Sequence, residues 1–291
     1  MTKKATLTDS HQSKGSTSVN HDHFIVTPDK KIRLKDYDPG FTSHYKNKDE
    51  ASVKLRKDIK RLAKYQGILY AQNTYAVLIM LQAMDTAGKD GVIRHVMSGV
   101  NPQGTQVHSF KAPSAEELSH DFLLRNMKAL PERGGIGIFN RSYYEEVLVV
   151  RVHPELLDLQ GLPPIANGKN IWKHRFDEIN NFERYLVRNG IVVLKFFLNL
   201  SKAEQRRRLL ARIDRPEKNW KFSVSDAKEQ SHRNEFKKAK DLKVVVKFES
   251  DNTPEGIQRS RQAKMIICEM ILLGQKRGRP SEKEGELHEA A

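Results

Sequence analysis

Between two polar ends, the chain alternates short continuous apolar runs with longer stretches in which apolar residues recur every three to four positions. Residues 49–72 carry the second pattern, which predicts a helix. Ala76-Val-Leu-Ile-Met-Leu81 carries the first and predicts a parallel strand buried on both faces. A Gly-containing turn follows, then a helix over 89–97. The same reading predicts further strands over 106–110, 135–139, 191–198 and 244–248, and further helices over 114–130, 173–188, 203–213 and 254–273. Ser114, with Glu117 three residues on, forms a capping box that starts the third helix. Alternation of this kind predicts an α/β fold, a doubly wound parallel sheet of about five strands with helices on both faces. Ligands in such folds bind beyond the C-terminal ends of the strands. Residues 1–22 and 275–291 are polar and aperiodic and are predicted to be disordered tails. A single domain is left over 23–274.

Composition narrows the function classes. Of the 291 residues 38% are hydrophobic, enough for a sizeable core. No apolar run approaches the roughly 18 residues that span a bilayer, and residues 1–20 hold no apolar secretion core. The single cysteine, Cys268, rules out an internal disulfide and fits a reducing, cytoplasmic location. A formal net charge of +15 favours a polyanionic partner, which nucleic acid, an anionic membrane surface and polyphosphate would each satisfy. Arg277-Gly-Arg-Pro280 resembles the core of a minor-groove hook, but one copy in a tail carries little weight. His11, His21 and His23 lack metal-ligand spacing.

Three stretches carry chemistry. Leu81-Gln-Ala-Met-Asp85-Thr-Ala-Gly88-Lys89-Asp90-Gly91 lies between a buried strand and a helix start, where helix N–H groups and the helix dipole attract an anion. Thr86, Ala87, Gly88, Asp90 and Gly91 are the candidate phosphate cradle, and Lys89 is a point charge for the transferring phosphate. A regular Walker A would need Gly at Ala83 and Ser or Thr at Asp90. Without that hydroxyl a metal needs another ligand, and Asp85 inside the loop can supply it. Asn140 and Arg141 follow the third strand and should emerge on the same edge as the loop. Asn140 stands where many P-loop enzymes place a metal-associated Asp, and Arg141 is positioned to bridge phosphates. Downstream of the fourth strand, Arg208 and Arg212 share a helix face. The segment around 203–240 can fold over the site as a helical lid, supplying positive charge and excluding water.

Together these stretches resemble the second family of polyphosphate kinases. Met84-Asp-Thr-Ala-Gly-Lys-Asp-Gly91 is similar to that family's modified Walker A, Phe139-Asn-Arg-Ser-Tyr-Tyr-Glu145 to its Walker B region, and Arg212-Ile-Asp-Arg-Pro-Glu-Lys-Asn-Trp-Lys-Phe222 to its lid. The resemblance implies a thymidylate-kinase-like P-loop core, Mg²⁺ or Mn²⁺, and reversible transfer between inorganic polyphosphate and a nucleotide. Asn140 and Glu145 resemble the subgroup acting on both AMP and ADP, with ATP as a product. By the same resemblance Asp85 holds the metal, Lys89 and Arg141 hold the phosphates, and Arg212 closes from the lid. Arg208, Lys218 and Lys221 line the polyphosphate path, and Asn101 and Arg125 lie near the nucleotide. The family often forms dimers or tetramers.

One stretch departs from the family pattern. Residues 232–264 nearly keep the family's length but are crowded with charges where the family is apolar, which fits either a divergent segment or a compensated pair of frameshifts. Two rival functions stay open at this point. An ATP-dependent nucleoside monophosphate kinase shares the loop but has no use for so many basic residues. A basic nucleic-acid-binding protein explains the charge but not the loop, and no RNA-recognition signature is present.

Overall fold

A computed structural model describes residues 24–26, 32–42, 45 and 47–213. The expected fifth strand, the helix over 254–273, the lid beyond residue 213 and both tails lie outside the described residues.

Four strands form one parallel sheet: β1 (Ala76–Ala83), β2 (Thr105–Ser109), β3 (Ile136–Asn140) and β4 (Ile191–Leu198), in the order β2-β3-β1-β4. β1 is central, and its run has no polar face because both of its faces are covered. Ile79 and Leu81 pack into a core with Leu55 and Leu62 of α1 (Lys48–Gln72) and Val92 and Val96 of α2 (Lys89–Val96). Leu78 and Met80 point the other way, onto Phe139, Val147, Ile179, Phe182 and Leu186. Side chains alternate across a strand, so a two-sided core requires an unbroken apolar stretch. The second core is roofed by α5 (Glu145–Val152) and α7 (Ile171–Arg188). The doubly wound arrangement is thus present.

The ends of α1 follow from local chemistry. Asn47 caps its first turn by accepting from Glu50 N at 2.9 Å, and Asn73 closes it in the left-handed region at φ 46°.

The predicted helix over 114–130 is instead two short pieces, α3 (Ala115–Leu118) and α4 (Leu124–Met127). The capping box at Ser114 is present in both halves, with Glu117 N on Ser114 Oγ at 3.2 Å and Ser114 N on Glu117 Oε2 at 2.8 Å. The break has a local cause. Ser119 Oγ and His120 Nδ1 both bond Glu116 O at 2.8 Å, and Asp121 Oδ1 accepts from Leu123 N at 2.9 Å. Such side chains take the backbone partners that the helix needs. The sequence reading also missed α5 and the short α6 (Glu155–Asp158), because Val147-Leu-Val-Val150 carries no helical spacing. The last described element is α8 (Lys202–Ile213). Among the described residues no helix is long and apolar enough to cross a membrane.

Candidate active site

Register brings Ala83 opposite Leu198, and Asn140 opposite both Leu81 and Ser109. The C-terminal ends of all four strands therefore share one edge. The chain leaves β1 there through a tight turn, with Ala87 N bonded to Met84 O at 3.2 Å, and enters α2 at Lys89. Thr86 has φ 64° and Gly88 φ 93°. The glycine adopts this conformation freely, whereas a threonine there costs about 1–3 kcal/mol. The turn aims the first-turn N–H groups of α2 at the strand edge, a ready anion site.

Lys89 Nζ donates to Ala83 O at 3.3 Å. The side chain is partly buried rather than freely solvated, and burial, then the nearby Arg141 charge, holds its ammonium below the usual lysine range. Asp85, Glu145 and Asp90 oppose that shift, so three carboxylates and two cations share the site. Arg141 lies 3.7 Å from Asp85 and 3.3 Å from Glu145. It too has a left-handed backbone, φ 69°, and its N–H extends the sheet by donating to Leu81 O at 3.1 Å. Asn140 Nδ2 donates to Asp90 Oδ1 at 2.8 Å and to Ser109 Oγ at 3.3 Å. The uncharged Asn140 thus ties α2 to the ends of β2 and β3. Thr86 Oγ1 and Asn140 Oδ1 are buried polar atoms with no protein partner, each able to meet a ligand.

The structure brings Asp85, Thr86, Ala87, Gly88, Lys89, Asp90, Gly91, Asn140, Arg141 and Glu145 to this edge. Arg208 joins them from α8. Its Nη1 donates to Thr86 O at 3.0 Å and its Nε to Glu204 Oε1 at 2.8 Å, so it is engaged with the loop backbone. A Cβ on Gly88 would stand 3.5 Å from Arg208 Nη1, an ordinary contact, so it is the left-handed backbone at φ 93° and not space that favours glycine here. Gln205, which the sequence reading missed, donates to Asp85 O at 3.3 Å. Its only signal is its place one turn before Arg208 on the same helix face. Arg212 belongs to α8 by its backbone. Lys218 and Lys221 lie outside the described residues.

Asn101 is not brought to the site. It precedes the N-terminal end of β2, and its side chain caps the following turn through Gln103 N at 3.0 Å. β2 separates it from the strand edge by a rise of about 3.3 Å per residue. Arg125, on α4, lies beside the edge. Its Nη2 donates to Lys111 O at 3.0 Å, Nε stands 3.2 Å from Glu117, and the guanidinium sits 5.2 Å from the Phe110 ring centroid. It lines a cleft of about 390 Å³ with His108, Phe110, Ser114, Glu117 and Lys128. Phe110 N bonds Asn140 O at 3.2 Å, so the cleft adjoins the loop.

Among the described residues no three His, Cys, Asp or Glu side chains cluster closely enough to cage a metal. The carboxylates around Lys89 are all-oxygen donors, which suit a hard divalent cation that takes its remaining ligands from phosphate and water.

The family model described as polyphosphate kinase 2 matches residues 45–275. That span runs through 232–264. An ADP-polyphosphate phosphotransferase of Rhodopseudomonas palustris is 51% identical over 252 residues, 85% of this chain and 87% of that protein. An AMP/ADP-polyphosphate phosphotransferase of Meiothermus ruber is 44% identical over 208 residues, 71% of this chain and 74% of its own. The crystal structure of polyphosphate kinase 2 from Arthrobacter aurescens superposes with a TM-score of 0.67 at 33% identity, covering 89% of this chain and 94% of that one.

Proposed function

Because the chain belongs to the polyphosphate kinase 2 family, we propose that it moves phosphoryl groups reversibly between inorganic polyphosphate and AMP or ADP. The observation that carries this reading is the meeting of Lys89 and Arg141 with the first turn of α2 at one strand edge. Phosphoryl transfer asks little covalent work of a protein, so positioning and charge neutralisation supply most of the rate. Lys89 sits where its ammonium can hold the transferring group. Arg141 offers a planar fork that can engage oxygens of donor and acceptor together. The first-turn N–H groups of α2 take further phosphate oxygens.

The residues fit a divalent cation, Mg²⁺ or Mn²⁺, held by Asp85 with phosphate oxygens completing its shell. Bound there, the ion would neutralise charge on the phosphate chain. The nucleoside is assigned to the cleft beside Arg125 and Phe110, which adjoins the loop. Arg212, Lys218 and Lys221 are assigned to the lid and the polyphosphate path, which gives the net charge of +15 a use. A cytoplasmic homo-oligomer, dimer or tetramer, completes the reading, and light scattering of the purified protein tests its size.

The deciding assay is ATP formation from ADP and polyphosphate, with AMP alongside and with ATP as an alternative donor. The expected result is ATP that depends on polyphosphate. Transfer that proceeds only with ATP as donor would identify a nucleoside monophosphate kinase instead.

A further inference from the structure

Directly behind Arg141 lies a buried polar network that the transfer reaction itself does not use. Ser142, Tyr143 and Tyr144 are all buried. Both phenols donate to Glu183 Oε1 of α7, Tyr143 at 3.0 Å and Tyr144 at 2.8 Å. The other oxygen of Glu183 meets Lys195 Nζ of β4 at 2.5 Å, and Lys195 also donates to Tyr144 OH at 3.0 Å. Burial first, then the Glu183 charge, pushes both phenols well above their ordinary range, so each remains a donor.

Tyr143 and Tyr144 pack in the core of Leu78, Met80, Phe139, Val147, Ile179 and Phe182. An ion pair in such a core is a poor source of stability, because apolar residues of similar volume commonly serve as well or better. What it supplies is a fixed direction. Arg141 is clamped on its upstream side by its N–H on Leu81 O and followed at once by Ser142, whose Oγ accepts from Gln82 Nε2 at 3.2 Å. The two tyrosines then tie the next residues to α7 and β4. A strained backbone persists only where its neighbours over-determine it, and here they do.

We propose that Lys195 and Glu183 are positioning residues for phosphoryl transfer, acting through Tyr143 and Tyr144 to hold Arg141 in its left-handed conformation and its guanidinium at the strand edge. This rests on the transfer reaction proposed above.

A double-mutant cycle tests it. Tyr144→Phe keeps the ring in the core and leaves Glu183 bonded to Tyr143 and Lys195. In the otherwise wild-type enzyme it should lower kcat about 5-fold or more, with the nucleotide KM changed by less than about 2-fold. In an Arg141→Lys background, where the guanidinium fork is already gone, the same substitution should change kcat by less than about 2-fold. Equal factors in the two backgrounds, or an unchanged kcat in the folded single variant, would overturn the proposal. Tyr143→Phe runs the same cycle if Tyr144→Phe does not fold. Failure of both to fold would also overturn it, since the bonds would then serve the fold and not the arginine. A wild-type protein that forms no ATP from polyphosphate would sink the transfer reading instead, so the two failures are separable.

Discussion

Replacing Lys89 by methionine removes one charge while keeping the length and most of the volume of the side chain. An ammonium about 4 Å from a phosphate charge, at the effective dielectric of about 20 that suits partly buried sites, interacts with it by about 4 kcal/mol. Part of this attraction is already present in the ground state, so the loss in rate should fall near the 10²–10³-fold, about 2.7–4 kcal/mol, typical of a deleted electrostatic contact. Stability should move differently. Burial holds the Lys89 ammonium below the usual lysine range, so the folded state binds fewer protons than the unfolded chain between the two pKa values. Wild-type stability therefore rises with pH across that window, and at neutral pH the buried charge is a cost. Lys89→Met should melt at the same temperature or higher, and should lose that alkaline rise. Wild-type kcat/KM, which reports the free enzyme, should begin to fall at alkaline pH before an ordinary lysine would titrate. The assay is polyphosphate-dependent ATP formation, paired with thermal melts from pH 7 upward. A folded Lys89→Met protein with a rate within about 10-fold of wild type would refute the assignment.

Asp85→Asn should depress the rate by at least about 10-fold and raise the Mg²⁺ concentration needed for half-activity, since one charged oxygen ligand is lost; an unchanged metal titration would place the ligand elsewhere. Arg208→Gln removes a charge-assisted bond to Thr86 O and should cost about 10-fold in rate, read as kcat against polyphosphate concentration. Glu204 is held at about 2, first by its bond to Arg207 and then by Arg208, so its ion pairs act fully above the ordinary carboxylate range and fade as pH falls towards 2. Because the carboxylate is only partly buried and its partner Arg207 is exposed, Glu204→Gln should cost less than about 1 kcal/mol at pH 7, and the difference in melting should shrink on acidification below pH 4. Gly134→Ala should destabilise the fold by at least about 1 kcal/mol in urea titration, because φ is 79° and the new Cβ would stand 3.1 Å from Tyr70 O.

Local pattern was enough for the strand β1, the loop after it, and the parallel α/β layering, because each depends on neighbours in sequence: a run of apolar residues, a glycine before a helix start, a lysine beside it. The joint spacing of three such motifs identified the family. Contacts that depend on which side chain meets which backbone were not legible. Arg208 shares a helix face with Arg212 in the sequence, but no spacing shows that it bonds the carbonyl of Thr86, 122 positions away. The helix expected over 114–130 breaks where Ser119, His120 and Asp121 win backbone partners, a competition that periodicity does not register. Asn101 sits beside a motif in the sequence but at the far end of β2 in space. The Lys195–Glu183–Tyr144 network joins β4, α7 and the segment after β3, which no spacing rule connects. Sequence pattern sets which residues must be inside and roughly where the chain turns, because burial acts on each residue separately. Hydrogen bonds and ion pairs need two groups at a fixed distance and angle, and only the folded sheet brings those partners together.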